Sequence, residues 1–162
     1  MITDSEPVVH DAFQTTLRIS VPRQILEVVR NGQVDASFPI STSKFGLGSE
    51  PGSYKTPVGR FRIAEKIGAN APLNAVFKSR EFTGEISQLA GDEDLILTRI
   101  LWLDGLDPAN ANTHDRYVYI HGTNQEARIG SPASHGCVRM RNPDIVQLFD
   151  RIPEGTIVEI IS

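Results

Sequence analysis

A chain of 162 residues with 40% apolar and 22% charged residues has the balance of a soluble globular protein and enough length to bury one core. Its net charge of −4, without a Lys/Arg block, RNA-binding aromatic signature or zinc knuckle, argues against nucleic acid as the main partner. No apolar run approaches the roughly 18 residues of a membrane helix, and a single cysteine cannot form an internal disulfide.

In chain order, residues 1–15 read as an N-terminal extension and 16–162 as one domain. Met1 to Phe13 carries Asp4, Glu6 and Asp11 with no Lys or Arg, and no apolar segment follows, so it is not a secretory signal. Thr16 to Val21 alternates with period two, and Ile25 to Val29 follows. Asn31-Gly32 signals a type I′ hairpin turn before a strand from Val34 to Ile40. Phe61 to Ile63 continues the strand pattern after the Pro57/Gly59 turn. Residues 68–91, broken by Pro72, Gly84 and Gly91, read as a long loop excursion with one short helix from Glu85 to Leu89. Asp92-Glu93-Asp94 reads as a solvated loop. Further strands are expected over Leu95 to Leu103, Tyr117 to Ile120 and Ile157 to Ile161. One helix is signalled at about 143–151: Asn142 can cap it, Pro143 suits its first position, and Ile145, Val146, Leu148 and Phe149 form one stripe before Pro153 and Gly155. The fold class is therefore mainly β, a single-domain β-sandwich or open barrel with one C-terminal helix.

The chemistry concentrates late in the chain, in Tyr119-Ile120-His121-Gly122 and Ser134-His135-Gly136-Cys137-Val138-Arg139. A lone Cys beside a Gly, with two His nearby, has the outline of a nucleophilic thiol. The thiol needs a base near neutral pH because its free pKa is about 8.5, and either His121 or His135 could serve. Gly136 lets a substrate backbone approach the sulfur. The competing readings are a small buried hydrophobe and a zinc site of His121, His135 and Cys137, although no metal-ligand spacing supports the latter. His10 and His114 read as surface residues, Trp102 as core, and Arg99 and Asp104 as groups able to touch a substrate.

His121 to Met140 resembles the active-site signature of the L,D-transpeptidases of the YkuD type: an upstream His, then Ser-His-Gly-Cys, an apolar residue and Asn or Arg. Twelve residues separate His121 from Ser134, and Arg139 fills the Asn/Arg position. Ser41-Thr42-Ser43-Lys44 and Thr56-Pro57-Val58-Gly59-Arg60-Phe61 are similar to that family's core strand and its turn, so the likeness runs from about Leu17 to Ile161.

The resemblance implies a β-sandwich with the site in a groove. It also implies attack by Cys137 on the bond between the third residue of a peptidoglycan stem peptide, diaminopimelate in many bacteria, and the following D-Ala. A thioester forms and D-Ala leaves. His121 is the expected base, since the family's upstream His has that role. His135, two residues before Cys137, would stand about 6–7 Å from it in an extended segment. The Gly122 carbonyl is expected to orient His121, and the Gly136 and Cys137 N–H groups to stabilise the oxyanion. Ser134 and His135 are expected to shape the loop, Tyr119 to line the groove, and Arg139 to bind a substrate carboxylate unless it pairs with Asp144 or Glu159. Neither a cofactor nor a metal is expected. The expected partners are peptidoglycan stem peptides or soluble muropeptides, and the chain is taken as a monomer. If Met1 is the native start, a cytoplasmic L,D-carboxypeptidase resolving the thioester with water is expected. With a signal removed, a periplasmic transpeptidase using an amine is expected. A module that binds peptidoglycan without chemistry is the non-enzymatic alternative.

Overall fold

The computed structural model describes residues 15–162; the N-terminal extension, with His10, lies outside them. The strands are β1 (Thr15–Ser20), β2 (Ile25–Arg30), β3 (Gln33–Ser41), β4 (Gly59–Ile67), β5 (Ala75–Lys78), β6 (Glu81–Ile86), β7 (Ile96–Gly105), β8 (Tyr119–Gly122), β9 (Val138–Met140) and β10 (Ile157–Ile161), with helix α1 (Asn142–Arg151) before the last. Eight of them run β4-β10-β1-β2-β3-β9-β8-β7, and a β4–β7 pairing closes the ring into a barrel. The β1–β10 and β8–β9 pairs are parallel. Asn31 and Gly32 both take positive φ, 52° and 81°, in the turn between β2 and β3, as their sequence signal requires.

Alternation along the strands sorts the side chains. Leu17, Ile19, Leu26, Val28, Ile40, Phe61, Ile63, Leu101, Leu103, Ile120, Val138 and Met140 build the main core, onto which α1 packs Ile145, Leu148 and Phe149. A second cluster of Ala75, Phe77, Ile100, Trp102 and Tyr119 lies on the opposite face of β7 and β8, with Cys137 packed against it. This parity places the odd-numbered residues of β8 and β9 on the face away from the core.

Two local expectations are corrected. Residues 68–91 are not a bare loop with a helix at Glu85–Leu89: β5 and β6 form a hairpin there, Phe77 opposite Phe82 and Lys78 opposite Glu81. Its turn residues are Ser79 and Arg80, which lack the Asn/Gly signature of a tight turn. Asn142 does not cap α1 either. It lies inside the helix, fully buried, and Arg141 precedes it at the cap position without a side-chain bond.

Instead, Glu126 Oε2 accepts both the Asn142 backbone N–H and its Nδ2, each at 2.8 Å. Nδ2 also donates to Thr123 O at 2.8 Å, and Thr98 Oγ1 donates to Oδ1 at 2.6 Å. Asn142 thus ties α1 to β7 and to the segment after β8. Asn142→Ala should lower the unfolding free energy by about 2–3 kcal/mol, since it strands several buried partners. Urea unfolding checks this, and a loss below about 0.5 kcal/mol would show the network to be dispensable.

Candidate active site

The loop before β9 carries the thiol and is pinned from three directions. Ala133 and Ser134 N–H groups donate to Thr42 O at 2.8 and 2.9 Å, and Lys44 N–H donates back to Ser134 O at 3.0 Å. Thr56 Oγ1 donates to Gly136 O at 2.9 Å while accepting Ser43 N–H at 2.9 Å. Ser134 Oγ donates to Cys137 O at 2.6 Å and accepts Gly136 N–H at 3.2 Å. Gly136 has φ of +124°, a conformation that excludes an ordinary side chain. The segments around Thr42 and Thr56 therefore brace the loop that carries Cys137. One expectation is corrected: Gly136 N–H is taken up by Ser134 Oγ in this resting loop, and so does not stand free as an oxyanion donor.

Cys137 is the only cysteine and is half-buried. Tyr119 N–H donates to its Sγ at 3.3 Å, and Sγ donates to Tyr117 O at 3.5 Å. It opens on a groove of about 300 Å³ whose lining includes Gly52, Tyr54, Arg116, Tyr117 and His135. Burial pushes the thiol pKa up to about 12, against the Tyr119 N–H, which favours the thiolate. The resting sulfur is therefore a neutral thiol.

His121 sits on β8, on the same outer face. The parallel register sets Ile120 beside Val138 and His121 beside Arg139, which puts Cys137 on the diagonal from His121, within reach of a long side chain. The imidazole is buried, and its Nδ1 lies 2.5 Å from Gly122 O. A carbonyl only accepts, so Nδ1 carries the proton and Nε2 holds the free lone pair. Burial lowers the imidazole pKa, opposed by the charge of Asp94. Gly122 admits no side chain, because a Cβ there would collide with Asn142 Oδ1 and Leu97 O. Among the described residues no hydrogen bond joins Sγ to His121 in the resting state.

Asp94 lies in the exposed loop that the sequence reads as solvated, but it also has partners that the sequence did not show. Its carboxylate accepts from Arg139 Nη2 at 2.8 Å and His135 Nδ1 at 3.0 Å. Burial disfavours its charge, yet the fields of His121 and Arg139 and the His135 hydrogen bond outweigh that and hold its pKa below the ordinary value. Arg139 is only 1% exposed, and its Nη1 donates to Gln125 Oε1 at 2.9 Å. Both Nη atoms are taken, Nη2 by Asp94 rather than Asp144 or Glu159, so they present no open carboxylate site, while the buried Nε has no hydrogen-bond partner among the described residues. His135 is exposed, with its ring centre 5.7 and 5.9 Å from those of Phe45 and Tyr54. No spacing pattern could have joined Asp94 to partners more than 40 residues away.

Asp94→Asn should leave Arg139 buried and unpaired and lower stability by about 2–4 kcal/mol. It also removes the charge that raises the His121 pKa, so the acid limb of any His121-dependent rate should move to lower pH. A melting temperature and acid limb both equal to wild type would refute this coupling.

The remaining sequence candidates make other contacts. Tyr119 is buried, its ring edge-on to Trp102, and Trp102 stacks on His114 at 3.9 Å. Arg99 turns inward to Ala71 O and Thr98 O at 2.9 and 2.7 Å. Asp104 pairs with Arg62 at 3.2 Å. Arg116, absent from the sequence reading, donates to Gly48 O and Lys55 O and braces one wall of the groove. Among the described residues no group of His, Cys, Asp and Glu is arranged to hold a metal.

Comparison with known proteins matches residues 14–160 to the model of the YkuD family, the L,D-transpeptidase catalytic domain. YqjB of Bacillus subtilis, named for the same activity, is 31% identical over 135 residues, which are 83% of this chain and 64% of that protein. YbiS of Escherichia coli K12, also so named, is 54% identical over 47 residues, 29% of this chain and 15% of its own length. The chain thus spans only part of the length of these relatives. An L,D-transpeptidase from Mycobacterium smegmatis superposes with a TM-score of 0.62 at 17% identity, over 92% of this chain and 59% of that one, which is a likeness of fold. With the family model running from the first described strand to the last, the chain belongs to the YkuD family of L,D-transpeptidase catalytic domains.

Proposed function

We propose that this domain is a cysteine acyl-transfer enzyme acting on peptidoglycan stem peptides at the bond between the third residue and D-Ala. The observation that carries this reading is the single thiol opening on a groove, diagonal across parallel strands from an imidazole whose Nε2 is left as the acceptor. Sγ attacks the scissile carbonyl while its proton passes to His121 Nε2. The C–N bond then breaks, the proton goes to the departing amine, and a thioester remains on Cys137. Because burial holds the thiol neutral, the proton moves as the C–S bond forms and no thiolate–imidazolium pair stands ready beforehand. Cys137 N–H, which no loop hydrogen bond claims among the described residues, is the donor for the oxyanion. Gly136 N–H would join it only by leaving Ser134 Oγ. An amine or water then resolves the thioester, with His121 again the base.

Intact-mass spectrometry after incubation with a carbapenem, followed by peptide mapping, tests the first half: one adduct on Cys137 is expected, and acylation elsewhere would refute the mechanism. Incubation with monomeric tetrapeptide and excess D-amino acid tests the second half. Tripeptide with free D-Ala identifies water as acceptor, exchanged tetrapeptide or cross-linked dimer identifies an amine, and unchanged tetrapeptide refutes the substrate.

A further inference from the structure

Arg80 stands at the tip of the β5–β6 hairpin and has no part in the bond-making steps above. It and Ser79 form the two-residue turn with φ values of 66° and 49°. Its side chain lies over Trp102 and Tyr117, the guanidinium carbon 4.9 and 5.1 Å from their ring centres. Nη1 donates to the Tyr119 hydroxyl at 3.2 Å. Among the described residues no carboxylate lies within ion-pair distance of this guanidinium. Glu65, the acidic group whose charge reaches it, meets His114 Nε2 at 3.4 Å instead. Nε and Nη2 are thus left without protein acceptors among the described residues. An arginine fixed against neutral aromatic faces keeps its charge and has already lost much of its rotamer freedom, so little ordering cost remains when an anion binds.

One residue sets its place relative to the nucleophile. The Tyr119 N–H touches Sγ at 3.3 Å, and the hydroxyl at the far end of the same residue meets Arg80. The guanidinium therefore stands about one tyrosine side chain away from Cys137. Tyr117, beneath the guanidinium, lines the groove and accepts the thiol hydrogen bond at its carbonyl.

We propose that Arg80 determines specificity by taking a carboxylate at the end of the side chain of the acyl-donor residue, the residue left as a thioester on Cys137. The inference rests on the acyl-transfer reading above. A distal side-chain carboxylate matches an offset of one tyrosine length from the attacked carbonyl, whereas the α-carboxylate of the leaving residue lies immediately beyond the broken bond. A side chain ending only in an ammonium group would meet a like charge. The third stem residue is accordingly one with a distal carboxylate, as in diaminopimelate, and not lysine.

The test compares wild type, Arg80→Gln and Arg80→Lys on four tetrapeptides: diaminopimelate at the third position, the same with its distal carboxylate amidated, lysine at the third position, and diaminopimelate with the terminal D-Ala amidated. Arg80→Gln should lower kcat/KM about 10- to 100-fold on the first substrate, mainly through KM. Arg80→Lys should recover only part of the loss. Melting temperature and carbapenem acylation should stay at wild-type values. Distal amidation or lysine should reproduce the loss in wild type and leave nothing further for Arg80→Gln to remove. If amidating the terminal D-Ala alone abolishes the Arg80 effect, the carboxylate belongs to the leaving residue and the assignment is overturned. An equal loss on all four substrates, or none, overturns it as well. Wild-type turnover with an unchanged Arg80→Gln enzyme sinks this inference alone; no wild-type turnover of any stem peptide sinks the acyl-transfer reading and this inference with it.

Discussion

Cys137→Ala is expected to abolish acylation, lowering turnover by about 10⁴-fold or more, while the protein still folds. The side chain is small, half-buried and outside the main core, so its loss leaves only a minor cavity beside Tyr119 and Trp102. A carbapenem adduct that persists on the Ala variant, or turnover within tenfold of wild type, would remove Cys137 from the mechanism. The neutral thiol has its own consequences. With a pKa of about 12, the free enzyme should react with iodoacetamide at neutral pH more slowly than a free thiol, because the thiolate is the reactive form. The same shift makes stability depend on pH. The folded state holds the thiol proton more tightly than the unfolded chain, whose thiol titrates at about 8.5. This contribution is therefore complete below that pH and is lost as pH rises towards 12. Cys137→Ala should remove that alkaline loss, and an unchanged alkaline melting profile would contradict the shift.

His121→Ala should lower the acylation rate by roughly 10²–10⁴-fold, the range for loss of a general base. His135→Ala should do much less, because His135 is exposed and reaches Asp94 rather than the sulfur. The pH profile separates the two further. Burial lowers the His121 pKa from 6.5, so the acid limb of kcat/KM should lie below that value, and His121→Ala should abolish it. The folded state favours the neutral imidazole; its contribution to stability is complete above the unfolded value and is lost as pH falls through the folded one. An acid limb above 6.5, or one that survives in His121→Ala, would assign the base elsewhere. Loss of all chemistry in a stable His135→Ala protein, with His121→Ala still active, would reverse the two roles.

The main strands, the tight turn at Asn31-Gly32 and helix α1 were legible because each depends on neighbours close in the chain: alternating burial, an αL-tolerant residue pair, and an apolar stripe after Pro143. Cys137, His121 and Gly122 stood out as candidates for a similar reason, since residue type and local motif single them out. What escaped was long-range. The β5–β6 hairpin was missed because Ser79 and Arg80 adopt left-handed φ without Asn or Gly, in a turn closed by the Phe77–Phe82 pair across the two strands. Asn142 looked like a cap because nothing local shows that Glu126 takes that role.

Asp94 and Arg139 make the same point about charge. From the chain alone, an acidic run in a loop belongs in water and an arginine beside a nucleophile belongs to the substrate. Closing the barrel puts His121 and Arg139 side by side on one face and brings the loop before β7 over them. Arg139 is then desolvated, and a buried guanidinium requires a carboxylate partner. Which residues are candidates for the proposed chemistry is therefore written in the local sequence. Which of them remain free to meet a substrate depends on which charges the fold has already paired, because desolvation and pairing act through space between residues that chain order does not relate.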